Sequence, residues 1–273
     1  MVLTVNNNTP AAIALQNLNA TNRELNITNN RISTGFKVNG PKDDASTFSI
    51  AQKMRAEIAG LGAIDTALAN GGSVTDTAIA GAKAISELLI EMKAKVVQGQ
   101  QDDLDPDAVA ALQNDFNALA DQIDNIVASS EFNGTNLIDG SETSFSVLSR
   151  IDSATNTPQF IDVAGLDIDS AALLVPNGTL VDAEATLGLV EDALDTVNAH
   201  LASLGSSGKQ IEIQANFNSK LMNILDAGVG NLVNADMAEE SAKLQALQIK
   251  QQLGVQSLSI ASSSPQLILG LFS

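Results

Sequence analysis

The chain has 273 residues and no cysteine, so disulfides, thiolate nucleophiles and cysteine-ligated zinc are excluded outright. It also lacks Trp and Tyr, and with Phe as the only aromatic its core must be built from Leu, Ile, Val and Ala, side chains that suit closely packed helices. Basic residues are scarce. Fourteen Lys and Arg stand against 32 Asp and Glu, a formal net charge of −18, and nucleic acid or an anionic membrane surface would repel such a chain. No nucleic-acid or membrane partner is therefore expected. No uninterrupted apolar run approaches the roughly 18 residues of a membrane-spanning helix. The first basic residue, Arg23, follows an Asn/Thr-rich stretch rather than an apolar one, so a Sec-type leader is not expected either.

Proline is sparse too, and its placement is informative. Pro41 and Pro106 bracket one long proline-free stretch, and Pro176 and Pro265 bracket a longer one. A proline inside a helix costs about 3 kcal/mol, so these gaps predict long helices. Asp105-Pro106-Asp107 reads as a helix start, with Asp105 capping, Pro106 at the first helical position and Asp107 at the positive end of the dipole.

What is present is a seam. Leu61, Leu68, Thr75, Ala82, Leu89 and Val96 fall seven apart, while Val109, Leu112, Phe116, Leu119, Ile123 and Ile126 advance by alternating threes and fours. Ala183, Leu187, Val190, Leu194, Val197, Leu201 and Leu204 do the same. This spacing keeps one apolar stripe turned toward a neighbouring helix. The fold class expected is mainly α: long coiled-coil-like helices packed as a rod, N- and C-terminal helices paired, with a small β-hairpin. Helices are predicted over about 1–34, 44–100, 107–129 and 182–262. Phe145 and Val147, then Phe160, Ile161 and Val163, flank a turn-rich segment and predict the hairpin.

The two ends share a defect. Ala14, Leu18, Thr21, Leu25, Thr28 and Ile32 in the first helix, and Met237, Leu244, Gln251 and Leu258 in the last, form seams with many polar or small members. Burying a Leu contributes roughly 1.5–3 kcal/mol, which barely offsets ordering a long segment when large residues are so few. Both ends are expected to fold only against each other or against neighbouring subunits.

Signs of catalysis or ligand binding are weak. The single histidine, His200, sits in an Ala/Leu-rich helical context and reads as an ordinary surface or semi-buried residue rather than part of a triad. Asp103, Asp105 and Asp107 are spaced like a calcium loop, but Ala108 stands where Gly is needed and Asn114 where Glu is needed. Gly60-Leu61-Gly62 opens like a dinucleotide fingerprint, yet Asp65 replaces the third glycine and no strand precedes it. Asn133-Gly134-Thr135 has the form of a glycosylation sequon and reads better as a tight turn. No catalytic residue, cofactor or metal is expected.

Three stretches carry a family resemblance. Residues Arg31 to Ala45, RISTGFKVNGPKDDA, resemble the flagellin signature R-[IL]-S-[ST]-G-x-[KR]-[IV]-N-x-x-x-D-D-A, and Phe132 to Gly140 resembles its F-N-G-x-x-L-[IL]-x-G. Asp236-Met237-Ala238-Glu239-Glu240-Ser241 and Pro265-Gln266-Leu267-Ile268-Leu269 resemble the closing helix and terminus of the same family. The resemblance implies a structural subunit that polymerises into the bacterial flagellar filament. Residues 1–40 and 237–273 would form an inner coiled-coil domain, 41–140 and 181–236 a central helical domain, and 141–180 a small outer segment. It implies as partners other copies of the chain or other flagellins, the flagellar export apparatus, a chaperone and a cap, with secretion to the flagellum by type III export. Leu18, Leu25, Ile32, Met237, Leu244, Gln251 and Leu258 are the expected subunit contacts. Residues Leu88 to Ala94 align with an Arg-containing helix, L-Q-R-x-R-E-L, through which many flagellins engage an innate-immune receptor. Met92 stands for the second Arg, which predicts weak or absent signalling. The rivals are a hook–filament junction protein and, from another class, an acidic coiled-coil adaptor.

Overall fold

The computed structural model describes residues 8–101, 103–152, 155, 157–175 and 183–269, with backbone only for 183 and 264–269. Among these the chain forms α1 (Thr9–Thr34), α2 (Ala45–Gly99), α3 (Pro106–Ser129), β1 (Glu131–Phe132), β2 (Thr135–Asn136), β3 (Ser144–Ile151), β4 (Pro158–Ala164), α4 (Ala183–Val233) and α5 (Met237–Leu269). The mainly helical class with a small hairpin is the one the periodicity predicts. Two compact units emerge, one from the described residues of 1–58 and 224–273 and the other from those of 59–223.

The helix boundaries follow from capping chemistry. Asn8 accepts a bond from the Ala11 amide at 3.1 Å to open α1, and Gly35, with φ of 74°, closes it by donating to the Arg31 carbonyl at 2.8 Å. At α2, Asp44 Oδ1 accepts from the Ser46 and Thr47 amides at 3.0 Å. Asp105 caps α3 through the Asp107 amide at 3.1 Å with Pro106 in the first turn, as the sequence predicts. Asp236 Oδ1 caps α5 through Ala238 and Glu239 at 2.8 and 3.2 Å.

The unit of residues 59–223 has a continuous apolar core. Leu68, Thr75, Ala82, Leu89 and Val96 of α2 are buried, together with Phe116 and Ile123 of α3 and Val190, Val197 and Leu204 of α4. The one polar seam member, Thr75, satisfies its hydroxyl by donating to the Gly71 carbonyl at 2.8 Å. Met92 belongs to this core with no exposed surface. Where the receptor-contact helix has its second Arg, Met92 therefore turns inward.

Two hairpins close the same unit. Asn133 (φ 50°) and Gly134 (φ 82°) form the two-residue turn between β1 and β2, because both positions need the left-handed region that Asn and Gly tolerate. In β3–β4, Phe145 pairs with Val163 and Val147 with Ile161. Val147 and Val163 point into the core, and Val147 approaches α2 so closely that a Cβ on Gly71 would lie 2.5 Å from its Cγ2. The following segment is tied to α3 by Asp124, which accepts from the Ser170 amide and hydroxyl at 2.8 and 2.9 Å.

The weak chemical motifs resolve as structure. Gly60-Leu61-Gly62 lies inside α2 and makes no phosphate loop, and Asp105 is a helix cap with Asp107 in the first turn of α3. His200, expected at the surface or semi-buried, is more deeply buried than that, and desolvation holds its pKa below the ordinary value although a bond to the Leu137 backbone works the other way.

Candidate functional site: the paired chain ends

α1 and α5 run antiparallel, and three polar rungs set their register. The Asn8 amide donates to the Ala261 carbonyl at 2.9 Å, Gln251 Nε2 donates to Asn22 Oδ1 at 2.8 Å, and Arg31 donates to Glu240 Oε1 at 2.8 Å. Between the first two rungs Leu18 packs onto Gly254, where a Cβ would come within 3.2 Å of its Cδ1. Sliding one helix past the other would break every rung together, so few bonds specify a single alignment.

The third rung is the most sheltered. Glu240 is 7% exposed, and among the described residues its second oxygen, Oε2, has no donor and the hydroxyl of Thr28, fully buried on α1, has no partner. Arg31 supplies the compensating charge. A carboxylate desolvated to this degree is tolerated only when paired.

Next to that rung the chain ends are stitched by backbone. The amides of Lys37 and Val38 donate to the Val233 carbonyl at 2.7 and 3.2 Å, and Ala235 donates to the Gly35 carbonyl at 2.9 Å. Phe36 and Asn234 form an isolated antiparallel bridge. Val38, Ala51, Val229 and Val233 make a small core beneath, with Phe36, Phe48, Met54, Ile58 and Leu232 against it. Asp43 Oδ2 ties the turn by accepting from the Asn39 and Gly40 amides at 3.0 and 3.2 Å. The Arg31–Ala45 signature thus has a physical reading: Arg31 is the ion pair, Gly35 the left-handed cap, Asp43 the turn clasp and Asp44 the next cap.

Leu18, Leu25 and Ile32 lie half-buried on α1, as do Leu244, Gln251 and Leu258 on α5, whereas Met237 is 44% exposed in the first turn. The sequence reading missed Asn22, Glu240, Leu247 and Gly254. Adding three residues to Met237, Leu244 and Gln251 reaches Glu240, Leu247 and Gly254, so the signal was the second contact row that a seven-residue count skips. Outside the seam, large apolar side chains face solvent: Ile13, Leu15 and Ile27 on α1, and Ile249, Leu253, Val255 and Ile260 on α5. Among the described residues no cluster of three or more His, Asp or Glu is placed to hold a metal, and no helix is long and apolar enough to cross a membrane.

Comparison with known proteins gives this geometry its context. Residues 5–143 match the family model of the bacterial flagellin N-terminal helical region, and 187–272 match that of the C-terminal helical region. The chain is 41% identical over 270 residues to flagellin FljK of Caulobacter vibrioides, covering 98% of both chains. It is 35% identical to a flagellin of Brucella melitensis, covering 97% of both. A solved flagellar hook-associated protein of Vibrio parahaemolyticus aligns with a TM-score of 0.56 at 13% identity over 70% of this chain and all of that one, a likeness of fold alone. The relatives matched over nearly their whole length are flagellins, so the chain belongs to the bacterial flagellin family, as a non-enzymatic structural subunit that polymerises into the flagellar filament.

Proposed function

We propose that residues 1–40 and 237–273 form the inner coiled-coil part of the filament, that 41–140 and 181–236 form the helical layer around it, and that 141–180 form the outer element. The observation that carries this reading is the set of large apolar side chains that the α1–α5 pair leaves exposed, Ile13, Leu15 and Ile27 on α1 and Ile249, Leu253 and Ile260 on α5. Burying each such side chain contributes about 1.5–3 kcal/mol, a gain that the pair forgoes alone and collects against its neighbours. Among the proposed contacts, Leu18, Leu25, Ile32, Leu244, Gln251 and Leu258 act by shaping the pair, and Met237 meets a neighbour directly.

The same thin seam suits passage through the flagellar type III apparatus in an unfolded state. Ends held by a few polar rungs cost little to open, which favours handover between an export chaperone, the export apparatus and the cap before assembly outside the cell. Deleting residues 1–34 or 237–273 tests the assignment. Electron microscopy is expected to show no filaments from either truncation while circular dichroism retains the helical signal of the remaining unit. Long filaments from a truncated chain would overturn it.

A further inference from the structure

The chain contains four Asn-Gly pairs, and the structure treats the three described ones very differently. Asn70-Gly71 lies inside α2, where the Gly71 amide belongs to the helical ladder and the glycine is buried. At Asn39-Gly40 the Gly40 amide is held by Asp43 Oδ2 at 3.2 Å, beside a negative charge that opposes loss of its proton. Asn133-Gly134 stands at the exposed tip of the β1–β2 hairpin, and among the described residues neither the Asn133 side chain nor the Gly134 amide has a hydrogen-bond partner. Asn177-Gly178 lies outside the described residues.

We propose that Asn133 is a site of self-catalysed deamidation. The Gly134 backbone nitrogen, having given its proton to solvent base, attacks Asn133 Cγ; the new C–N bond closes a five-membered succinimide. The Cγ–Nδ2 bond breaks and the amide nitrogen leaves as ammonia with a proton from water. A second water molecule opens the ring at either carbonyl, leaving aspartate or isoaspartate. Glycine at the second position leaves the attacking nitrogen unshielded, and a hairpin with only two paired residues on each strand opens cheaply to reach the required geometry. Aspartate keeps the turn and adds one negative charge. Isoaspartate inserts a methylene into the main chain, so a two-residue turn no longer closes the Phe132–Thr135 pair.

The experiment is peptide mapping by mass spectrometry of the purified full-length chain, incubated at mildly alkaline pH with and without denaturant. Folded protein is expected to convert Asn133 several-fold faster than Asn39 or Asn70, and the difference is expected to shrink in denaturant. Asn133→Gln, whose longer side chain disfavours the five-membered ring, should retain the helical spectrum and lose the conversion at this position. Equal rates at Asn39 or Asn70 in the folded chain, or an Asn133 that reacts only in denaturant, would overturn the proposal.

Discussion

The two units solve the same packing problem with different means. Residues 59–223 bury Phe116, Leu68, Ile85, Leu89 and Met92 almost completely, and two hairpins close against them. The paired ends bury hardly any large side chain, spend their seam on Asn8, Asn22, Gln251, Arg31 and Glu240, and leave Ile13, Ile249, Leu253 and Ile260 in solvent. Apolar burial supplies magnitude without direction, whereas hydrogen bonds supply direction with little net magnitude. One unit is therefore built to be stable and the other to be aligned.

The largest expected effect lies in the stable unit. Phe116→Ala removes a fully buried ring and should cost about 3–5 kcal/mol. Thermal unfolding followed by circular dichroism should show the drop, and a change under about 1 kcal/mol would mean this core is not what holds the unit. In the aligned unit, Glu240→Ala leaves Arg31 without its partner and should cost about 1–3 kcal/mol. Hydrogen exchange should then quicken in α1 and α5 and stay unchanged in α3. Protection lost equally in α3 would erase the distinction between the units.

Gln251→Leu should be smaller still in stability, within about 1 kcal/mol, because added apolar contact offsets the lost bond to Asn22. Filament length and shape should suffer out of proportion. Normal filaments with no change in heat resistance would show that Gln251 does not set register. A pH slope is the mildest probe. Burial depresses the His200 pKa, so the unfolded chain binds the proton more tightly, and this contribution to stability is present above about pH 6.5 and is lost as pH falls below it. His200→Gln should flatten the acid limb of a melting-temperature series, and an unchanged limb would assign the slope to other groups.

Much of this was legible in the residues. Pro106 and its flanking aspartates mark the start of α3 because a cap and a fixed φ act locally, and Leu61 through Val96 mark a buried stripe because helical period is a local property. Asn133-Gly134 reads as a tight turn for the same reason. Glu240 was not legible as a seam residue, since a carboxylate is buried only when a partner 209 positions away arrives to pair it. The full burial of His200, read as surface or semi-buried, was likewise not legible, because exposure depends on which neighbour covers a helix face.

By itself the sequence determined the helical class, the caps, the hairpin turns, the poverty of the end seams and the family, all of which rest on local spacing or on motifs read in order. Only the tertiary structure decided which contact row faces which helix, that Arg31 meets Glu240 and Asn22 meets Gln251, and which apolar side chains stay uncovered. Those choices are made by packing between residues far apart in the chain, where the fit of two surfaces, rather than the preference of either segment, sets the free energy.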